Sequence, residues 1–164
     1  MRTVVVYDSQ FGNTATIAQA IGRGAGSSGD VTLLAVADVD PAAVFRSRVD
    51  LLVLGGPTVN RGMTPALARC VDAVVAAMPG EVPVATFDTR FKGSELLMGS
   101  AGKAAAARFQ RAAARLVAPK ESFYVARAEA PRGVRTPPGM ARLVDGEEAR
   151  AEAWGADLAR AVSR

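Results

Sequence analysis

Histidine is absent from the 164 residues of this chain, and cysteine occurs once, at Cys70. The first absence removes a Ser-His-Asp or Cys-His triad and any histidine-ligated zinc. The second removes an intrachain disulfide, a CxxC redox pair and a four-thiolate cluster. Redox chemistry here would need a bound organic cofactor. Aromatics are only 5% of the chain, and lysine stands only at Lys92, Lys103 and Lys120. The 20 basic residues, against 16 acidic ones for a net charge of +4, are therefore nearly all arginine. They are scattered, with one denser stretch at 127–142 that holds Arg132 and Arg135. A nucleic-acid binder clusters its basic residues and interleaves aromatics; neither pattern is present, so no nucleic-acid partner is expected. No apolar run approaches the roughly 20 residues of a membrane-spanning helix. The run at 3–7 is too short for a signal-peptide core and meets Asp8 at once. These features lead us to expect a cytoplasmic protein with no membrane partner.

What is present suits one globular domain over 1–164. The chain is 49% hydrophobic and 22% charged, an ordinary balance. A domain of this size buries roughly 70% of its unfolded surface and folds without metal or disulfide. The hydrophobic pattern alternates between two periods. Residues 3–7 form a β-branched run that reads as a buried strand, and 31–36, 50–54, 83–87 and 122–126 read as four more. Between them lie helical patterns. One follows Asn13 with Ile17, Ala18, Ile21 and Ala25 on one face. A short one spans 41–46 after Asp40-Pro41, and another starts at Thr64-Pro65 and runs to Met78. An alanine-rich one covers 101–117, with Phe109, Ala112, Ala113 and Leu116 as its inner face. The last covers about 146–161, with a stripe of Ala151, Trp154, Leu158 and Val162. Residues 90–99 read as a loop, and 127–142 as irregular. Strands alternating with helices imply parallel pairing and right-handed crossovers. Such a sheet binds ligands outside the carboxyl ends of its strands.

The loop after the first strand, Asp8-Ser9-Gln10-Phe11-Gly12-Asn13-Thr14, opens a helix. Main-chain N–H groups at a helix start are unpaired, and the helix dipole favours an anion there. Ser9 and Thr14 add hydroxyls, and Gly12 allows a close wrap. This suits a phosphate, although neither a Walker loop nor Gly-x-Gly-x-x-Gly is present. The same residues would also make a plain strand–helix turn capped by Asn13.

The segment from Val5 through Thr14, continued by Ile17-Ala18, resembles the signature of the flavodoxin family, in which this loop holds the FMN phosphate. Many members have threonine where Phe11 stands, so Phe11 offers only its main-chain N–H. Leu52 through Gly55-Gly56-Pro57-Thr58 is similar to the family's second FMN loop. Val84 through Phe87-Asp88-Thr89-Arg90, with Gly99-Ser100-Ala101, resembles its third, and Gly146 to Gly155 resembles its final helix. The three loops in order carry the resemblance. It implies a three-layer α/β sandwich with five parallel strands in the order 2-1-3-4-5. It implies FMN, with the flavin ring between the second and third loops. Phe91 stands where a tyrosine usually stacks on the ring. Val59 stands at the other stacking position and would cover the ring without stacking. Asn60 and Gly62 would shape the turn at the ring's N5 edge, and Thr58 would approach the ribityl chain or the ring. Asp88 and Thr89 would supply main-chain contacts to the pyrimidine edge. Pro57, Arg61, Arg90 and Gly93 complete the expected cofactor-binding set.

Cys70 and Trp154 read as packing residues, and Glu147 and Glu148 as complements to a helix dipole. Arg61, Arg90 and Lys92 lie on the expected flavin loops, either as solvated charge or as electrostatic tuners. Acids around FMN in classical flavodoxins lower the potential of the reduced flavin, and Arg61 falls about where such an acid lies. One charge at ~8 Å and an effective dielectric near 20 is worth roughly 2 kcal/mol before screening, or about 90 mV for one electron. The resemblance thus implies an electron carrier meeting redox partner proteins, and the basic surface implies an acidic docking patch on them. Two alternatives stand beside it. One is an FMN-dependent NAD(P)H quinone or flavin reductase, with 127–142 shaping a second pocket. The other is a binding domain that kept the fold and lost the cofactor.

Overall fold

The computed structural model describes residues 1–127 and 141–163. Seven strands form one sheet: β1 (Arg2–Tyr7), β2 (Asp30–Ala35), β3 (Leu51–Pro57), β4 (Pro83–Phe91), β5 (Arg115–Leu116), β6 (Glu121–Arg127) and β7 (Ala141–Leu143). Six helices accompany them: α1 (Asn13–Gly26), α2 (Pro41–Val44), α3 (Pro65–Ala77), α4 (Glu95–Met98), α5 (Ala101–Arg111) and α6 (Glu147–Val162). The order along the sheet is β2-β1-β3-β4-β6-β7, and β5 also pairs with β4. Every pairing is parallel except that of β6 with β7.

The central strands are apolar on both faces, and helices cover both. Val4, Val6, Leu52, Leu54 and Val84 pack with Leu67, Val71 and Val74 of α3 and with Ala105 and Phe109 of α5. Val5, Leu51, Val53, Ala85 and Phe87 face the other way, onto Ile17 and Ile21 of α1 and Ala151 and Leu158 of α6. Burying each such Val, Leu, Ile or Phe stabilises the fold by about 1.5–3 kcal/mol. On that second side α1 and α6 lie backbone to backbone. A Cβ on Gly24 would sit 1.9 Å from the Glu152 carbonyl oxygen, and one on Gly155 would sit 2.2 Å from that of Ile21. Phe123 bridges Phe87 and the Trp154 ring in edge-on geometry, so Trp154 packs as expected.

The expected order 2-1-3-4-5 holds through the fourth strand. The fifth position is filled by two pieces in line: β5 pairs with the start of β4 and β6 with its end. Pro119, which has no N–H to donate, stands in the break between them. β7 is an added antiparallel edge. The alanine-rich helix is shorter than the expected 101–117. It ends at Arg111, and Ala113 takes a left-handed φ of 56°. The main-chain N–H groups of Ala113 and Ala114 turn back onto the Gln110 and Phe109 carbonyls. Phe109 is buried in the core, but Leu116 belongs to β5. β4 runs four residues past the expected end at Phe87, and the expected 90–99 loop contains α4. Asp50 stands just before β3, where its carboxylate accepts the Arg2 main-chain N–H at 2.8 Å and is thereby held below the usual carboxylate range. Most of the irregular segment expected at 127–142 lies outside the described residues. Among those residues, no helix is long and apolar enough to cross a membrane.

Candidate functional site

Three loops meet at the carboxyl ends of β1, β3 and β4. The first begins where Asp8 donates its N–H to the Gly55 carbonyl at 3.0 Å, and it reverses at Gly12, whose φ is 91°. Gly12, not Asn13, is the cap residue of α1. The capping hydrogen bond comes from Ser9, whose Oγ accepts the Ala15 N–H at 3.1 Å. Asn13 instead reaches across the site, donating from Nδ2 to the Ala141 carbonyl at 2.9 Å. Thr14 is buried, with its Oγ1 2.7 Å from that of Thr89. The main-chain N–H groups of residues 9–14 have no hydrogen-bond partner among the described residues. Donors left free at a helix start are what an anion takes up.

The second loop is a tight hairpin. Val59 and Gly62 exchange both main-chain hydrogen bonds at 3.0 Å. Asn60 and Arg61 between them are both left-handed, at φ 48° and 69°, as a type I′ turn requires. For arginine that conformation costs about 1 kcal/mol. The turn is held from outside: Arg61 donates to the Leu96 carbonyl at 3.1 Å. A Cβ on Gly99, itself at φ 70°, would sit 1.9 Å from the Arg61 carbonyl oxygen.

The third region is strand rather than loop, so its side chains alternate. Thr89 and Phe91 face the first loop and the edge of the sheet. Asp88 and Arg90 face α4 and α5. Asp88 is fully buried. Its Oδ2 accepts from Thr58 Oγ1 at 3.1 Å, Ser100 Oγ at 2.5 Å and the Gly102 N–H at 3.1 Å. Its Oδ1 has no partner among the described residues. Thr58 Oγ1 in turn accepts the Ala101 N–H at 2.9 Å. Asp88 thus ties the second loop to the start of α5. The Arg90 side chain is only 3% exposed and lies 3.5 Å from Glu95. It donates to the carbonyls of Gly93 and Gly99. Lys120 also binds Glu95, and these cations hold the Glu95 carboxyl below its ordinary range, Lys120 by hydrogen bond foremost. Arg90 is therefore a buried brace for residues 91–99 and not solvated charge, one of the two readings its position allowed.

The loops enclose an open cleft of about 190 Å³. Gln10, Phe11, Asn13, Thr14, Pro57, Thr58, Val59, Thr89, Arg90 and Phe91 line it. Of the other expected positions, Ser9, Gly12, Asn60, Arg61, Gly62, Asp88 and Gly93 are not in the lining. Ser9 and Gly12 shape the first loop, and Asn60, Arg61 and Gly62 form the hairpin. Gly93 packs on Met98. Val125 and Ala141 line the cleft although the sequence reading did not single them out. Val125 is the register partner of Phe91, a signal that strand pairing alone could have supplied. Away from the cleft, Cys70 is buried on α3, and burial first, then the Asp8 charge, pushes its thiol up. Among the described residues no cluster of metal-ligating side chains occurs.

A doubly wound parallel sheet with an anion-ready helix start and an apolar-walled cleft defines a class of small-molecule-binding α/β proteins. The flavodoxin family model matches residues 5–154. The chain belongs to the flavodoxin family. No curated protein matches it in sequence. Its fold is similar to that of a flavodoxin from the domain Archaea, with TM-score 0.77, 22% identity and full coverage of both chains. It is similar to oxidised flavodoxin 1 from Bacillus cereus, at 0.74 and 16% over 98% of each chain. It is also similar to the Flv1 flavodiiron core from Synechocystis sp. PCC6803, at 0.75 and 18%; there 99% of this chain spans 36% of the other. Family membership supports a flavoprotein function of the electron-transfer kind in general.

Proposed function

We propose that this chain holds FMN non-covalently in the cleft and carries electrons between redox partner proteins. The observation that carries this reading is the run of main-chain N–H groups at residues 9–14 that have no hydrogen-bond partner among the described residues. They lie on a loop whose Gln10, Phe11, Asn13 and Thr14 line a cleft together with Val59 and Phe91. The residues fit the cofactor. Gly12 has no atom within 4 Å of where a Cβ would stand, so the phosphate's approach is open. The Thr14–Thr89 hydroxyl pair shares one hydrogen bond and so has one proton left to donate. Bound FMN supplies the one- and two-electron redox chemistry.

The protein's part is holding and positioning. The amides of the first loop take the phosphate, Thr58 takes the ribityl chain or the ring, and the Asn60–Arg61 turn stands at the ring's N5 edge. Phe91 stacks on one face, and Val59 covers the other. A cleft of about 190 Å³ is smaller than the roughly 300 Å³ at which ligand pockets begin to enclose a drug-sized molecule. A bound ring would keep an edge in solvent, as an electron carrier needs. Arg61 is exposed and anchored on Leu96, so solvent screening reduces its effect on the flavin. The expected change in Arg61→Ala is a potential lower by about 45 mV, half the unscreened figure, read by redox titration.

Titrating the protein with FMN and following flavin fluorescence tests the binding. Quenching at micromolar protein is the expected result, and none would leave a fold that has lost its cofactor. Adding NADPH then separates carrier from reductase. Slow bleaching that needs an added reductase supports the carrier, while rapid bleaching by NADPH alone would replace it.

A further inference from the structure

We propose that α4 and the cations around it form the docking site for an acidic redox protein, with Leu96 and Leu97 seated in an apolar hollow of that partner. The proposal deepens the electron-carrier reading and rests on it for the electron, though not for the binding.

Leu96 and Leu97 are 85% and 72% exposed. Three consecutive apolar residues in a single helical turn cannot share one face. Met98 lies against Gly93 and stays partly exposed, and the two leucines stand furthest outward. Phe11 and Phe91, at the cleft mouth, are exposed too. Of the large apolar side chains that the described residues leave exposed, only Leu33 and Val144 lie outside this group. Such a concentration beside a functional cleft marks an interaction surface.

The leucines stand on a braced turn. The N–H groups of Leu97 and Met98 donate to the Ser94 carbonyl, and that of Gly99 to Glu95 at 2.7 Å. Arg61 holds the Leu96 carbonyl, and buried Arg90 holds those of Gly93 and Gly99. A partner would meet a preorganised prong and lose little ordering entropy on binding it.

Charge selects the partner. Glu95 is the only acid between Arg90 and Lys103, and Arg90 and Lys120 already neutralise it. Arg61, Lys92, Lys103 and Arg127 are exposed around the prong, and none has an acidic partner among the described residues. Arg127 lies over the Phe91 ring, 5.9 Å from its centroid. An apolar centre inside a cationic rim is complementary to an apolar hollow inside an acidic rim. A second copy would bring cations against cations, so self-pairing is disfavoured.

The test uses the full chain, with and without FMN, and an acidic plant-type [2Fe–2S] ferredoxin as probe. Basic cytochrome c serves as the control. Amide shifts followed by NMR are expected at residues 91–98 and Lys103 with ferredoxin and not with cytochrome c. Affinity is expected to fall about tenfold between roughly 20 and 300 mM salt. The double variant Leu96→Ser/Leu97→Ser is expected to weaken binding at least ~tenfold at every salt concentration while FMN affinity is unchanged. Lys92→Glu/Lys103→Glu is expected to weaken it mainly at low salt. Absent shifts, shifts on another face, or equal binding of cytochrome c would overturn the proposal. So would dimerisation, or sedimentation with phosphatidylserine vesicles, that the leucine variant abolishes. Ferredoxin docking without FMN binding would end the electron-carrier reading alone. FMN binding without docking would end this proposal alone.

Discussion

At the amino ends of the strands lies a hollow of about 750 Å³, and at the carboxyl ends a cleft of about 190 Å³. The larger space is lined by Met1, Phe45, Arg48, Asp50 and Arg115 among others, and several of its polar groups are already matched. Asp50 takes the Arg2 N–H and pairs with Arg48 at 2.7 Å. Beside it, the Ser47 carbonyl accepts from the guanidinium of neighbouring Arg2. The smaller space has, on one side, main-chain amides without a hydrogen-bond partner among the described residues, apolar walls on the other, and buried charges fixing the walls from behind. Volume alone would favour the first end. Main-chain donors without a protein partner, set beside apolar surface, favour the other, because an anion there can replace the water they otherwise bind.

The contrast breaks most sharply at Gly99. Gly99→Ala drives a Cβ into the Arg61 carbonyl at a left-handed φ, so the second and third loops must part. FMN affinity should fall more than ~100-fold, equivalent to about 2.7 kcal/mol, in a fluorescence titration. Unchanged affinity would show that loop spacing does not define the site. Asp88→Ala leaves the Thr58, Ser100 and Gly102 donors without their acceptor. It should cost about 3 kcal/mol of stability, seen as a melting temperature lower by several degrees, with Asp88→Asn recovering part of the loss. Phe91→Ala should weaken FMN about tenfold, near 1.4 kcal/mol, as loss of one stacked ring does. Arg115→Ala at the other end should leave FMN affinity untouched, and an equal loss there would erase the distinction. The smallest effect concerns Glu95. Its carboxyl is depressed in the folded protein by Lys120 first, so the stability it contributes is present above the unfolded value, near pH 4.3. That contribution fades as pH falls through the lower folded value. Melting temperatures of the protein and of Glu95→Gln should differ at pH 7 and converge in acid.

Sequence made the first loop legible because its chain path is set locally, by a strand, a glycine and a helix start. The capping bond, however, comes from Ser9 and not Asn13, and Asn13 and Thr14 are held by Ala141 and Thr89 far along the chain. The central strands were legible because parallel strands covered on both faces stay apolar throughout. The far end of β4 was not. Asp88 and Arg90 look like loop residues, and their burial depends on Ser100, Gly102, Gly93 and Gly99 further along the chain. Periodicity cannot see partners supplied by the next element. The early stop of α5 was hidden for another reason. Ala113 takes a conformation that glycine would normally announce.

The glycine-to-carbonyl contacts between α1 and α6 bind the first helix of the chain to its last. The first loop, where we propose the phosphate binds, leads directly into α1, so its aim depends on a segment more than a hundred positions downstream. A chain cut before Glu147 would keep every expected flavin-binding residue and still leave α1 with no partner on its outer side. Strain placed on α6 by a segment fused after Val162 would therefore reach the first loop at a distance.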